Sequence, residues 1–388
     1  MTVNLFPLRL AKAESFCNRV KERNELKNFI KAGHHIWLQA LRRHGKSSLL
    51  LKVQEDFKQD NAAIVLHRVD LAFKSDADEI IIALCKGALN LLTEMIEMSE
   101  HVNNENRFQK ISNYILKTFS SFAPSMQIER GMPSITFTAK PSLDMLEKTL
   151  LTIDNEAKKR ACRAVFVIDE FQQVGKTTSK NKQQKNTSIE GTIRHCLELA
   201  DNINYIFCGS ENTLMEQAME DKSRPLYNHT MKVSLGRISE ECYKKHIGDL
   251  WEAEWGTPFG DEVFYAIQIC TQLHPYYVNA LCARLWLLDD TPTIDDTIEN
   301  WEEIVSQDSS DFKAIALKLT PNELKLLKAL AVEPTSAPTS TEFSQYHSIP
   351  IGSIPSTLEQ LIKKDLVYET NDKFMVVNPV LAYMARSA

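Results

Sequence analysis

The 388-residue sequence has no run of 18 apolar residues and no apolar leader at its amino terminus. A membrane-spanning helix needs about 20 such residues, so we expect a cytoplasmic protein without membrane contact. The chain also lacks an excess of basic residues, since 45 Lys and Arg face 51 Asp and Glu. A protein that coats nucleic acid needs a basic face, so this balance argues against that class.

Cysteine pairs with metal-ligand spacing are missing as well. The eight cysteines lie far apart, several of them in apolar segments such as "YIFCGS", which predicts reduced thiols in the core. Hydrophobic residues at 43% and charged residues at 25% are typical of a globular protein. The length predicts two or three domains.

Apolar strand patterns alternate with helical patterns up to about residue 235. Examples of the strands are "HIWLQAL", "AVFVIDEF" and "INYIFCGS", and such alternation predicts an α/β fold with a parallel sheet. A β-hairpin is predicted around Arg130-Gly131. Residues 239–305 show only helical periodicity and end in an acidic connector, with nine carboxylates and no Lys or Arg from Asp289 to Asp311.

The last segment has the pattern of a separate module. Thr320 and Glu323 form a capping box at the start of "TPNELKLLKALA". Two more helical segments and the hairpin pattern "YETNDKFMVV" follow, which is the order of a winged helix-turn-helix. We therefore predict an α/β domain over 1–237, a helical lid over 238–310 and a winged helix domain over 311–388.

Two Gly-Lys dipeptides compete as a phosphate-binding loop. Such a loop needs a strand before it and a helix after it, so that amide groups and the helix dipole face the phosphates. "HIWLQALRRHGKSSLLLKV" supplies both flanks around Gly45, whereas "VGKTTSKNKQQKNTS" around Gly175 has the character of a solvated loop. We therefore expect Lys46 to contact the β- and γ-phosphates of ATP and Ser47 to bind Mg²⁺.

A pair of carboxylates closes the strand "AVFVIDEF". Ligands bind at the carboxyl ends of parallel strands, so we expect Asp169 to hold Mg²⁺, directly or through water. Glu170 is then the catalytic residue that orients and polarises the attacking water. Ser210, after the next buried strand, is placed to bond the γ-phosphate or the water. The alternative role for Ser210 is to cap the helix "ENTLMEQAM", and the two roles are compatible with each other.

These motifs resemble the prokaryotic AAA+/STAND-type ATPases of the archaeal ATPase family, relatives of the origin-recognition ATPases. "ALRRHGKSSLL" is similar to the family's paired-arginine phosphate loop and "VFVIDEFQQV" to its acidic strand. The resemblance implies a P-loop NTPase (AAA+-like) sheet with a helical lid and a C-terminal winged helix, and ATP and Mg²⁺ as cofactors. The nucleotide-binding residues expected in the loop are Ala40, Arg42, Arg43, His44, Gly45, Lys46, Ser47 and Ser48.

Two further motifs extend the resemblance. "FCNRVKERNEL" is similar to the family's opening box, which implies that Arg19 flanks the adenine. "LHPYYVNAL" is similar to its lid motif, which implies that His274 contacts the bound phosphate and couples lid closure to nucleotide state. The chain departs from the family's glycine at Ala40, Asn18, Asn228 and Leu273. Alanine is tolerable at position 40 if its φ is negative, because only a positive φ demands glycine.

The most consequential departure is His229, which stands where the family has an arginine. An arginine finger contributes about 10³ to 10⁵ in hydrolysis rate, so its loss predicts slow turnover. Arg224 and Arg237 are substitutes by proximity in sequence only, and a surface or salt-bridged arginine is the alternative for each.

Two functions remain open at this point. The first is a nucleotide-dependent switch that engages a protein partner or a second copy of the chain. The alternative is a DNA-binding initiator- or loader-like ATPase that uses its winged helix on duplex DNA. The candidate recognition helix, residues 353–364, offers Gln360, Lys363 and Lys364, but residues 311–388 hold eight basic and eight acidic residues and are neutral. A nucleotide-binding remnant without turnover is a third option.

Overall fold

A computed structural model describes residues 4–99, 107–119, 124–129, 132–137, 140–176, 182–370 and 373–387. The chain separates into two compact units. The sheet unit comprises Lys21–Ala40 and Leu50–Ser234, and the helical unit comprises Met1–Val20, Leu41–Leu49 and Leu235–Ala388. The boundaries of the three domains proposed from the sequence stay a prediction.

Strands and helices alternate through the first 235 residues, as the sequence predicts. The strands are β1 (Ile36–Ala40), β2 (Ile64–Asp70), β3 (Pro124–Glu129), β4 (Met132–Phe137), β5 (Arg163–Asp169), β6 (Ile203–Gly209) and β7 (Met231–Leu235). The helices are α1 (Val20–Lys31), α2 (Lys46–Gln59), α3 (Ala77–Ser99), α4 (Arg107–Thr118), α5 (Leu143–Lys159), α6 (Gln173–Lys176), α7 (Lys182–Leu199) and α8 (Asn212–Glu220).

The central sheet has the strand order β2-β5-β6-β1-β7. β5 pairs in parallel with β2 and β6, and β6 pairs in parallel with β1, so these four strands end at the same edge. The register sets Asp70 opposite Asp169 and Gln39 opposite Gly209. β3 and β4 form the antiparallel hairpin predicted from the sequence, although its turn, Arg130-Gly131, lies outside the described residues.

Apolar side chains explain why β5 and β6 lie inside the sheet. Residues 164–168 of β5 are fully buried, as a parallel strand covered on both faces should be. α3, α5 and α7 contribute to one core with these strands, in which Leu84, Ile153 and Ile193 are fully buried. The strand ends that carry polar residues are thereby held by a rigid apolar layer.

The helical unit has two cores of its own. Its elements are α9 (Glu240–Trp255), α10 (Asp261–Thr271), α11 (Pro275–Leu285), α12 (Ile294–Ala316), α13 (Pro321–Val332), α14 (Thr341–Tyr346), α15 (Ile354–Lys363), β8 (Val367–Thr370), β9 (Lys373–Val376) and α16 (Pro379–Ser387). α9 to α12 bury the aromatic residues Trp251, Tyr277 and Trp301 in the first core. α13 to α16 and the β8–β9 hairpin enclose the second.

The acidic stretch from Asp289 to Asp311 is mostly a helix, α12, where the sequence suggested a connector. The reason is the apolar spacing within the acidic residues. Trp301, Ile304 and Val305 are buried on one side of α12, so burial of that side outweighs repulsion between the solvated carboxylates.

The winged helix predicted for the C-terminal segment is present. The Thr320 hydroxyl accepts from the Glu323 amide and the Glu323 side chain bonds the Thr320 amide, which confirms the capping box. Three helices precede the β8–β9 hairpin, and Thr335 forms a bridge to Phe374 of β9. Six of the eight cysteines are buried, and Cys242 and Cys270 are half-buried. Among the described residues, no helix is long and apolar enough to cross a membrane.

Two helical glycines provide a matched test of the packing. A Cβ at Gly87 of α3 would lie 2.9 Å from Val69 Cβ and 3.1 Å from Phe166 Cε2, whereas a Cβ at Gly191 of α7 meets no described atom within 4 Å. We expect Gly87→Ala to lower the free energy of unfolding by about 1–3 kcal/mol because of overpacking. We expect Gly191→Ala to raise it by about 0.5–1 kcal/mol. Urea denaturation of both variants measures the contrast, and equal effects would contradict it.

Candidate functional site

The segment predicted to bind phosphate has the expected strand, turn and helix. β1 ends at Ala40, and α2 begins at Lys46 with no acidic residue in its first turn. Gly45 has φ +88° and Arg43 has φ +65°, so the turn is left-handed at two places. Ala40 closes the strand without a positive φ. Alanine therefore fits there without strain, as the sequence argument required.

The competing dipeptide does not have this geometry. Gly175 and Lys176 end α6, a single helical turn, and the Lys176 ammonium pairs with Glu211. Thr177 and Thr178 lie outside the described residues. The described part of this segment is not a turn between a strand and a helix, so Gly45 remains the candidate.

Three positions where the family resemblance calls for glycine have left-handed backbone. Asn18, Asn228 and Leu273 have φ values of +49°, +59° and +55°. Asparagine tolerates this region, whereas a leucine there is strained. The chain thus keeps the glycine-like conformation without the glycine.

Within the helical unit, a buried cluster joins the predicted phosphate loop to the predicted lid motif. The His44 and His274 rings meet edge-to-face with centroids 4.8 Å apart, and His274 is the N-cap of α11. Arg19 Nη2 donates to the carbonyls of His44 at 3.0 Å and Gly236 at 2.7 Å. Three residues predicted to serve the nucleotide are therefore neighbours, and Arg19 is bound to main-chain carbonyls.

Both histidines of this cluster are neutral at pH 7. Burial, followed by the charge of Arg237, lowers the pKa of His44 to about 3. Burial, followed by His44, lowers the pKa of His274 well below its usual value. Within the described chain, His44 Nε2 and His274 Nδ1 are buried without a hydrogen-bond partner. Such atoms are rare in folded proteins and identify a place where a polar ligand would be favoured.

The remaining loop residues differ in their surroundings. The Arg43 guanidinium lies 4.1 Å from the Tyr276 ring centroid, in the helical unit. The Ser48 hydroxyl is buried and accepts from the Ala11 amide at 3.0 Å. Arg42 is exposed, and Lys46 and Ser47 are half-buried in the first turn of α2.

The two substitute arginines are engaged elsewhere. Arg224 pairs with the buried carboxylate of Glu190, which confirms the salt-bridged alternative. Arg237 is half-buried. It donates to the carbonyls of Gln272 at 2.6 Å and Val377 at 3.2 Å. Its guanidinium carbon lies 5.6 Å from the Tyr368 ring centroid.

The carboxylates at the end of β5 form a second cluster, in the sheet unit. Asp169 is 2% exposed, its Oδ1 accepts from the Glu170 amide at 3.0 Å, and its Oδ2 lies 2.6 Å from Arg68 Nη2. Glu170 has φ +54°, a strained conformation for a side chain of this kind. The strain is typical of residues positioned for a function.

Ser210 belongs to the same cluster. Its hydroxyl donates to Glu170 Oε2 at 2.8 Å, and Gln172 Nε2 donates to the same oxygen. The N-cap of α8 is Glu211, so the capping role suggested for Ser210 is wrong. Gln172 and Arg68 were not predicted from the sequence. Gln172 lies within "VFVIDEFQQV", and Arg68 is two residues before Asp70 on a strand, which places the two side chains on one face.

His229, which stands where the resembled family has an arginine, lies close to a carboxylate. His229 Nε2 lies 3.8 Å from Glu198 Oε1, and Arg194 Nε donates to the same oxygen at 2.9 Å. Both contacts lie within the sheet unit.

Comparison with known proteins supports the fold. Residues 310–386 match the family described as a probable winged helix domain. A search of curated proteins finds no match. The Walker-type ATPase paby2304 of Pyrococcus abyssi aligns at 18% identity with a TM-score of 0.64, over 98% of this chain and 99% of that one. The Aeropyrum pernix ORC1 protein in complex with DNA aligns at 9% identity with a TM-score of 0.46, over 98% and 94%.

The first of these likenesses shows the fold alone, because fewer than a quarter of the residues are identical. It confirms the predicted fold class, an α/β domain with a parallel sheet followed by helices and a C-terminal winged helix.

The neutral state of His44 predicts a pH dependence of stability. Below pH 6.5 the unfolded chain takes up a proton at this histidine, whereas the folded chain does so only near pH 3. The free energy of unfolding should therefore decrease as pH falls, by about 2 kcal/mol between pH 7 and pH 5 for this residue. Urea denaturation of His44→Gln should show a correspondingly smaller decrease. His195→Gln, at an exposed position, is the matched control, and an identical decrease in both variants would contradict the assignment.

Proposed function

We propose that this protein binds ATP as a nucleotide-dependent switch and hydrolyses it slowly with Mg²⁺. The observation that carries the proposal is the order of polar groups along the sheet. A left-handed turn at Gly45 leads from β1 into α2, and Asp169, Glu170 and Ser210 follow the neighbouring strands at the same edge. Nucleotides bind at this edge of parallel sheets.

The donor set fits a magnesium ion. The Ser47 hydroxyl and the Asp169 carboxylate are oxygen ligands of the kind that Mg²⁺ takes, and it commonly uses few protein ligands besides the phosphates. When bound, the ion would neutralise negative charge on the phosphates.

Different residues of the chain would then bind the phosphates and orient the water. Lys46 and the amides of the loop hold the β- and γ-phosphates, while Glu170 orients the water. Ser210 and Gln172 both bond Oε2 of Glu170, which fixes the direction of its carboxylate. No arginine stands at position 229, and Arg224 and Arg237 are held by other groups, which favours slow turnover.

Within the helical unit, a series of contacts connects the loop around His44 to the winged helix. The His44 ring lies 4.8 Å from His274 at the start of α11 and 6.4 Å from Tyr368 in β8. Arg237 donates to Val377, directly after β9. A phosphate bound beside His44 would therefore act on helices and wing together, and the repositioned wing would engage a protein partner or a second copy.

Two substitutions separate binding from hydrolysis. We expect Lys46→Ala to abolish both, because the loop loses its contact with the phosphates. We expect Glu170→Gln to retain ATP binding and to lower the hydrolysis rate at least about 100-fold, because the general base is lost. Fluorescent-nucleotide binding and phosphate release measure the two effects. Hydrolysis that survives in Glu170→Gln would disprove the assigned roles, and a wild-type protein that binds ATP without hydrolysing it would be the nucleotide-binding remnant.

The alternative function, a DNA-binding ATPase, is favoured by the winged helix itself. Gln360 is exposed on α15, the candidate recognition helix. Lys363, however, pairs with Glu359, and Lys364 donates to Glu323 at 2.6 Å. Two of the three candidate base- or phosphate-contacting side chains are thus engaged by carboxylates of the same domain, which weakens a duplex-binding role.

Salt dependence distinguishes the two functions. For the switch we expect duplex DNA to leave the rate of ATP hydrolysis unchanged between 50 and 200 mM salt. Stimulation that falls steeply over this range and disappears in a Gln360→Ala, Lys363→Ala double variant would establish the alternative. The substitution Lys245→Ala, at an exposed position of α9, is the matched charge control.

A further inference from the structure

An arginine that the sequence analysis did not identify contacts the carboxylate predicted to hold magnesium. Arg68 lies on β2, at the end of the sheet order, and its Nη2 is 2.6 Å from Asp169 Oδ2. The same nitrogen is 3.4 Å from Oδ2 of Asp70. The Asp169 side chain is 2% exposed and that of Asp70 is 51% exposed. One guanidinium thus stands between a buried and a solvated carboxylate.

The strand register explains this arrangement. Arg68 is opposite Val167, and Asp70 is opposite Asp169. Alternate residues of a strand point to the same face, so all four side chains lie on one face of the sheet. An arginine two residues before the end of β2 is long enough to reach either carboxylate.

Arg68 also has room to move. It lines an open groove of about 350 Å³ beside β2 and α3, together with Asp70, Lys74 and Lys86. The guanidinium can therefore turn away from Asp169 toward Asp70, which lines the groove, while the Arg68 backbone stays in the strand.

We propose that Arg68 is a positioning residue that competes with Mg²⁺ for the Asp169 carboxylate and moves to Asp70 when the metal–nucleotide complex binds. The inference rests on the proposed nucleotide function. A buried carboxylate that loses its cation is strongly destabilised, so Asp169 needs a positive partner in both states. Without the metal, Arg68 is the positive partner of Asp169. When the metal is bound, Arg68 pairs with Asp70 instead.

The competition predicts opposite effects of two substitutions on the Mg²⁺ requirement. Binding of a fluorescent ATP analogue is titrated with MgCl₂, and the half-saturating Mg²⁺ concentration is read. Arg68→Gln removes the competitor and should lower that concentration by about three- to fivefold, the range of a partly solvated ion pair. Asp70→Asn removes the second acceptor and should raise it by a similar factor. Arg68→Lys keeps a cation and should stay nearer the wild type than Arg68→Gln.

The control is Lys86→Gln, which removes one positive charge from the same groove. If the half-saturating Mg²⁺ concentration decreases equally in Arg68→Gln and Lys86→Gln, the loss of any positive charge in the groove explains the effect. That result would overturn the inference. An unchanged or raised Mg²⁺ requirement in Arg68→Gln would also overturn it. If Arg68→Gln does not fold, an unchanged requirement in Asp70→Asn decides against it. A wild-type protein that binds no ATP at any Mg²⁺ concentration refutes the proposed function, and this inference with it.

Discussion

The burial of Asp169 is the constraint on which the arrangement at the sheet edge depends. β5 is apolar and buried from Ala164 to Ile168, so the carboxylate that ends it lies at the boundary of a rigid core. A charge placed there requires a cation within contact distance. Arg68 meets this requirement in the structure at 2.6 Å, and it can do so because β2 is the neighbouring strand in the sheet.

The position of Asp169 at the end of β5 also determines the conformation of Glu170. The chain must leave β5 directly after Asp169, and it turns at Glu170 with φ +54°. That turn brings the Glu170 carboxylate to the hydroxyl of Ser210, which follows the adjacent strand β6. Strain in one residue, together with two side-chain donors on one carboxylate oxygen, holds the side chain in a single direction. Preorganisation of this kind reduces the cost of orienting a water during hydrolysis.

Features coded by neighbouring residues were predictable from the sequence. The turn at Gly45, the strand before Asp169 and the capping box at Thr320 each depend on a few adjacent side chains, and all three are present. Partners distant along the chain were not predictable. Arg68 and Asp169 are about a hundred positions apart, and only the strand order makes them neighbours. The acidic stretch was predicted to be helical only as far as residue 305, whereas α12 continues to Ala316.

The left-handed backbone at Leu273 bears on how the helical unit could respond to a ligand. Leucine in this conformation is costly, and it stands directly before His274, whose ring packs on His44 of the predicted phosphate loop. The turn at Leu273 leads directly into His274, which is the N-cap of α11 and packs against His44. A ligand that forms a hydrogen bond with His44 Nε2 or His274 Nδ1 would change the interactions that hold the turn at Leu273. Because His44 also contacts Tyr368 of the wing, the change would be transmitted through packed rings within one compact unit.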